Sequence, residues 1–296
     1  MLAPVPPESA QPAVPPDVPG TYAGRRVLLV EDSPINRYIA AEMLRKLGLA
    51  VNLAANGAEA VDLVRENAYD LVLMDCHMPQ MDGFAAARHI RAWESIAAER
   101  PPLPIVALTA NAMAGDREAC LEAGMSDYLS KPITGAELAD MVARHLSAHN
   151  TPMPERPGSV APPTDQGTPP PGATVFDTTR LESLPMVIDG SNPSFATHVL
   201  EQFLDIGADT LALFERATLA GDRRTQFRCV HTLKSSGAQI GLDAMAAVAQ
   251  ALEHVLLAGD SPDADAVRRL KDEHQRARRA IAAHLGHEIT TQESSG

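Results

Sequence analysis

Between residues 26 and 148, short continuous apolar runs alternate with longer segments whose apolar residues recur every three or four positions. The first run, Arg26–Val30, is the kind shown by a strand buried on both faces. Ser33-Pro34 then supplies an N-cap followed by proline at the first helical position. Ile35, Ile39, Met43, Leu44 and Leu47 recur at helical spacing until Gly48 closes the segment. The alternation repeats. Strands are predicted at 50–54, 70–74, 104–108 and 126–129, with helices near 56–67, 83–98, 112–123 and 134–148. Five such units with short connections define an open parallel sheet covered by helices on both faces.

Beyond residue 175 the period changes. Phe195, Val199, Phe203 and Ile206 step by helical intervals and continue through Leu213 and Ala217, and Gly221-Asp222 breaks the run. Further helices are predicted at 223–240, 242–257 and 262–285, with a shorter one around 179–186. No strand pattern interrupts them, so an antiparallel helical bundle is the economical fold.

Composition divides the 296 residues in the same way. Of the 24 prolines, seven fall in residues 1–20 and eight in 151–175, stretches too poor in large apolar side chains to build a core. The predicted organisation is a disordered Pro-rich segment over 1–22, an α/β domain over 23–149, a flexible linker over 150–175, a helical bundle over 176–287 and a disordered tail over 288–296. The linker's 25 residues from 151 to 175 reach about 25–30 Å if flexible and roughly 75 Å as polyproline II, enough for the two domains to meet.

The net charge of -13 is shared evenly, residues 23–150 and residues 175–296 each carrying 12 basic and 17 acidic residues, so neither presents the basic surplus of a nucleic-acid binder. The longest apolar stretch, 242–259, is broken by Asp243, Gln250, Glu253 and His254, which excludes a membrane span within it. The first residues lack the basic and apolar regions of a signal peptide. Cys76, Cys120 and Cys229 fit neither a disulfide framework nor a zinc site. A cytoplasmic protein is the expectation.

In a doubly wound sheet the working site lies beyond the carboxyl ends of the strands. The first strand leads to Glu31-Asp32, the third to Asp75, the fourth to Thr109-Ala110 and the fifth to Lys131-Pro132. Three converging carboxylates repel one another unless a cation intervenes, and an all-oxygen site suits Mg²⁺. A lysine beside them is a point-charge partner for a phosphoryl group. The constellation points to phosphoryl chemistry.

These residues, with the run Asp75-Cys76-His77-Met78-Pro79-Gln80-Met81-Asp82-Gly83, resemble the receiver domain of two-component response regulators over roughly 25–146. The resemblance implies a five-stranded flavodoxin-like fold with Asp75 as phosphoacceptor. It implies Mg²⁺ held by Asp32, Asp75 and the backbone carbonyl of His77, with Glu31 acting through water. It further implies that Thr109 contacts the phosphoryl group, that Tyr128 is the aromatic switch residue, that Lys131 pairs with the phosphoryl group, and that the Lys131–Pro132 bond is cis. Cys76, on the opposite strand face from Asp75, reads as core.

In the bundle, His231 follows the core residue Val230 and so lies about 100° around its helix, off the buried stripe and toward solvent. Lys234 shares its side, with Ser235 beside it. The run His231-Thr232-Leu233-Lys234-Ser235-Ser236-Gly237-Ala238-Gln239-Ile240-Gly241 resembles the signature of histidine-containing phosphotransfer (HPt) domains. That resemblance implies that His231 is phosphorylated on its outer ring nitrogen and that Gln239 orients the imidazole. Ser235 stands where glycine is common. The other nine histidines, His77 among them, read as surface or packing residues.

Receiver and HPt together imply a phosphorelay in which an upstream histidine kinase loads Asp75, His231 takes the phosphoryl group, and a downstream response regulator receives it. No Gly-x-Gly occurs anywhere, so the glycine boxes of a kinase ATPase domain are missing from this sequence. The Pro-rich beginning suggests the carboxyl-terminal part of a hybrid sensor kinase, with a freestanding two-domain relay as the competing origin. A phosphorylation-controlled binding module, with His231 as a phosphate sink, is the alternative function.

Overall fold

The computed structural model describes residues 22–97, 101–109, 114–146 and 175–286. The disordered segment expected over 1–22 (save Tyr22), the linker expected over 150–175 (save Val175) and the tail expected over 288–296 lie outside the described residues, as do Ala110, His149 and His287.

The first domain runs β1 (Arg26–Val30), α1 (Pro34–Lys46), β2 (Ala50–Ala54), α2 (Gly57–Glu66), β3 (Leu71–Asp75), α3 (Gly83–Ala97), β4 (Ile105–Thr109), α4 (Ala114–Glu122), β5 (Asp127–Ser130) and α5 (Gly135–Leu146). All strands are parallel in the order β2-β1-β3-β4-β5. The central β3 and β4 are buried at every position because helices cover both faces, whereas the edge strands β2 and β5 are largely half-buried. The chain order reverses between β1 and β3, which opens the crevice where Asp32 and Asp75 emerge. Ser33 accepts a hydrogen bond from the Asn36 backbone N–H and, with Pro34 behind it, starts α1 at the mouth of that crevice.

The second domain begins with two short helices, α6 (Thr179–Glu182) and α7 (Pro185–Ile188), where one was predicted; Pro185 at the first turn of α7 separates them. Four long helices follow: α8 (Phe195–Ala220), α9 (Arg223–Gln239), α10 (Asp243–Leu257) and α11 (Ala264–Leu285). Short connections make neighbours antiparallel. At Gly237 a Cβ would come within 2.6 Å of Met245 Cε, so glycine lets α9 and α10 cross closely. Among the described residues no helix is long and apolar enough to cross a membrane.

The two domains are packed together. One contiguous apolar cluster runs from the α1–α5 side of the sheet, through Ile39 and Met43, into the bundle through Met186, Phe195 and Phe203. Tyr38 stacks on Phe195 with ring centroids 5.2 Å apart and planes 14° from parallel. Lys46 pairs with Asp189 and donates to Ser191 Oγ at 2.9 Å. The helix that borders the acidic crevice is therefore also the helix on which the bundle is seated.

Candidate functional site

The crevice gathers the carboxylates that the strand ends predicted. Glu31, Asp32 and Asp75 each offer an oxygen within 4.8 Å of the others. Lys131 reaches them from the far side of the sheet, donating to Glu31 Oε2 and to Asp75 Oδ2, both at 2.6 Å. The Lys131–Pro132 peptide is cis. Asp75 also accepts from the His77 backbone N–H at 3.2 Å. Thr109 ends β4, buried, and its carbonyl accepts from the Lys131 N–H at 2.7 Å. Tyr128 lies half-buried on β5, against the α3–α4 side of the core.

Electrostatics follow from this crowding. Burial raises the Glu31 carboxyl well above its ordinary range, and the neighbouring carboxylates add to that against the pull of Lys131. Asp32 is raised too, by burial and then by Asp75, with His231 and Lys131 opposing. Burial disfavours the Lys131 ammonium, yet Asp75 and Glu31 outweigh it and hold it protonated. An all-oxygen cluster with three carboxylates against one ammonium keeps an excess of negative charge and fits a hard divalent cation.

His231 stands opposite. Its helical phase is as expected, but the face it occupies does not open to solvent. The side chain is 4% exposed, closed in by α10 of its own bundle and by the first domain. Its ring lies 5.6 Å from that of His77 in an edge arrangement and 6.0 Å from Phe227. The His77 side chain, read from sequence as a surface or packing residue, thus packs against the bundle histidine. Burial and the neighbouring His231 lower its pKa.

The residue missed in the sequence is Glu253 on α10. Its Oε1 is 2.6 Å from His231 Nδ1, and its Oε2 accepts from Lys234 Nζ. Although burial works against the charge, His231 and Lys234 hold this carboxyl down to about 2, so it is an anion and only accepts. Nδ1 of His231 therefore donates to this carboxylate, so in the neutral imidazole the lone pair lies on Nε2. A signal was present: Glu253 falls four residues after Ala249 and seven after Ala246, on the buried stripe of its helix.

Gln239 does not touch the imidazole as the sequence suggested. At the last turn of α9 it points across the domain boundary, its Oε1 accepting from Ile133 N–H and its Nε2 donating to Ile133 C=O, both at 3.0 Å. The carboxylate of Glu253 already fills the place beside Nδ1. Ser235 also faces the first domain, accepting from Asn36 Nδ2 at 3.1 Å. Lys234 is one turn from His231 as predicted, engaged with Glu253.

A five-stranded parallel sheet with this acidic crevice defines a flavodoxin-like α/β domain, here joined to a helical bundle that packs a histidine against it. Residues 27–143 match the model of the response regulator receiver domain, and residues 198–280 match that of the Hpt domain. The chain thus combines a response regulator receiver domain with an Hpt domain. It is 47% identical over 134 residues to sensor protein GacS of Pseudomonas syringae pv. syringae, a match covering 44% of this chain but only 14% of that protein. Among solved structures, it is similar to the receiver domain of sensor histidine kinase PA1611 from Pseudomonas aeruginosa, which holds a magnesium ion in its active-site cleft. That similarity has 50% identity and a TM-score of 0.38, covering 42% of this chain and 98% of the other. It is also similar to a chain in the complex of the Saccharomyces cerevisiae histidine phosphotransfer protein Ypd1 with the receiver domain of its downstream response regulator Ssk1. There the identity is 35% and the TM-score 0.41, covering 42% of this chain and 90% of that one.

Proposed function

We propose that this chain is a phosphorelay intermediate that passes a phosphoryl group between Asp75 and His231. The observation that carries the reading is the enclosure of both groups at one domain boundary, with His231 held by Glu253 so that Nε2 is its free nitrogen. Asp75 takes the phosphoryl group from an upstream histidine kinase. The Nε2 lone pair of His231 then attacks phosphorus, the bond from phosphorus to the Asp75 oxygen breaks, and its electron pair returns to the carboxylate. No proton has to move: Nδ1–H stays bonded to Glu253, whose charge offsets the positive charge that develops on the ring. Lys131 and Lys234 flank the path as fixed positive charges. A downstream response regulator is the final acceptor.

Glu31, Asp32 and Asp75 would hold Mg²⁺, with the His77 carbonyl completing the set; such an ion neutralises phosphoryl oxygens. Thr109 and Tyr128 are the residues assigned to sensing the phosphorylated state.

The test is incubation with a small acyl phosphate and Mg²⁺, followed by mass spectrometry of wild type, Asp75→Asn and His231→Gln. Wild type should carry label at both residues, His231→Gln at Asp75 alone, and Asp75→Asn at neither. Label on His231 in the Asp75→Asn chain would overturn the order of transfer.

A further inference from the structure

The boundary between the domains carries polar contacts that phosphoryl chemistry does not require. Asn36 Nδ2 stands between two acceptors, Glu31 Oε1 at 3.3 Å and Ser235 Oγ at 3.1 Å. Reversing the amide would set its oxygen against the Glu31 carboxyl and the Ser235 oxygen, so the donor orientation is fixed by its surroundings. The Ser235 hydroxyl has spent its own hydrogen on Thr232 C=O at 3.3 Å, leaving a lone pair for Asn36. One α9 turn further, the Gln239 side chain completes a two-bond ring with the backbone of Ile133. Asn36, Ser235 and Gln239 are all buried, so a partner that cannot match them leaves donors or acceptors stranded away from water.

We infer that Ser235 and Gln239 are specificity-determining residues that select this chain's own receiver domain for docking on the HPt helix, Ser235 by reading the Asn36 amide and Gln239 by clamping the Ile133 backbone. The inference rests on the relay reading and adds how the partner is chosen. Glycine at position 235 accepts a receiver without regard to what stands at the position of Asn36. Serine rewards an amide there and leaves an apolar residue facing an unmatched hydroxyl. The Gln239 ring reads main chain, so it fixes register along the segment that follows Lys131 and thereby sets where the Lys131 ammonium lies relative to His231.

The experiment uses the full chain, loaded at Asp75 with a small acyl phosphate, and follows the rate at which label appears on His231 by rapid quench. Ser235→Gly should slow transfer about fivefold, the scale of one neutral hydrogen bond, and Ser235→Thr should restore it. Gln239→Ala, which strands two backbone groups, should slow transfer about thirtyfold, and the near-isosteric Gln239→Glu at least as much because a carboxylate then faces the Ile133 carbonyl. Amide exchange at Ile133 should be protected in wild type and accelerated in both Gln239 variants, a readout that does not depend on label. If wild type moves no label from Asp75 to His231, the relay reading itself fails. If wild type transfers while all four variants stay within twofold of it, or if Ser235→Thr is as slow as Ser235→Gly, the selection role is overturned.

Discussion

Glu253 Oε1 lies 2.6 Å from His231 Nδ1, across 22 residues of sequence, and the other oxygen of the same carboxylate accepts from Lys234. The pair fixes which ring nitrogen donates and places a negative charge beside the imidazole proposed as the nucleophile. Glu253→Gln keeps a group that can accept from Nδ1–H but removes the negative charge facing the ring; it should slow label transfer from Asp75 to His231 about tenfold. Glu253→Ala, which also frees the ring to rotate, should slow it about a hundredfold. Quenched-flow measurement at fixed pH distinguishes the two. Equal rates in wild type and Glu253→Gln would show that orientation alone matters.

The same carboxylate contributes to stability in a defined pH window. Its folded pKa of about 2 lies below the ordinary 4.5, so the stabilisation is fully present above pH 4.5 and is lost as pH falls toward 2. His274 adds a second, higher window. It is 2% exposed, its Nε2 has no hydrogen-bond partner, and burial, then Arg278, lowers its pKa from 6.5 to about 4. The unfolded chain gains this proton first, so stability falls as pH drops from 6.5 to 4, by on the order of 3 kcal/mol. Urea midpoints at pH 7 and pH 5 should differ clearly in wild type and much less in His274→Met. A midpoint difference unchanged by that substitution would assign the acid sensitivity elsewhere.

Strand ends were legible because a fully buried parallel strand announces itself as an apolar run, and the residue after it must then lie at the sheet edge. Glu31, Asp32, Asp75 and Lys131 converge for that reason alone. Helical phase was legible as well, but phase gives a direction and not what lies there. His231 lies off the Val230 stripe, yet it is buried because α10 and the other domain close over it. Gln239 was misassigned for the same reason: its partner is the Ile133 main chain, 106 residues earlier, and a backbone group carries no sequence signal. Asn36 and Ser235, 199 residues apart, could be paired only once α1 and α9 were seen face to face.

Gly241 closes the HPt signature for a steric reason. Its φ is +88°, and a Cβ there would lie 2.0 Å from the carbonyl oxygen of Asp177, whose N–H donates to Gly241 C=O at 2.9 Å. The segment that leads into the bundle is thus pinned on the end of the helix bearing His231. Gly241→Ala must both adopt a disfavoured backbone conformation and push Asp177 away, so it should lose about 2–3 kcal/mol in chemical denaturation. Gly190→Ala, at φ +68° with open space around its Cβ, isolates the conformational part and should lose less. Equal losses would mean that the Asp177 contact contributes nothing.

Lys131 is the ammonium that holds the acidic crevice together, with its side chain 6% exposed and bonded to Glu31 and Asp75. Lys131→Met preserves most of the stem's packing but leaves three carboxylates, two of them buried, facing one another. Without divalent cations at neutral pH this variant should be destabilised by about 3–5 kcal/mol, the usual result of removing one partner of a buried ion pair. The missing positive charge can be supplied from outside. Because the crevice offers only oxygens and no longer contains a competing ammonium, millimolar Mg²⁺ should raise the melting temperature of Lys131→Met more than that of wild type. Thermal melts in chelator and in Mg²⁺ measure both effects without requiring phosphoryl transfer. A variant as stable as wild type in chelator, or one whose melting is indifferent to Mg²⁺, would show that the three carboxylates are not held against one another in the way the crevice geometry implies.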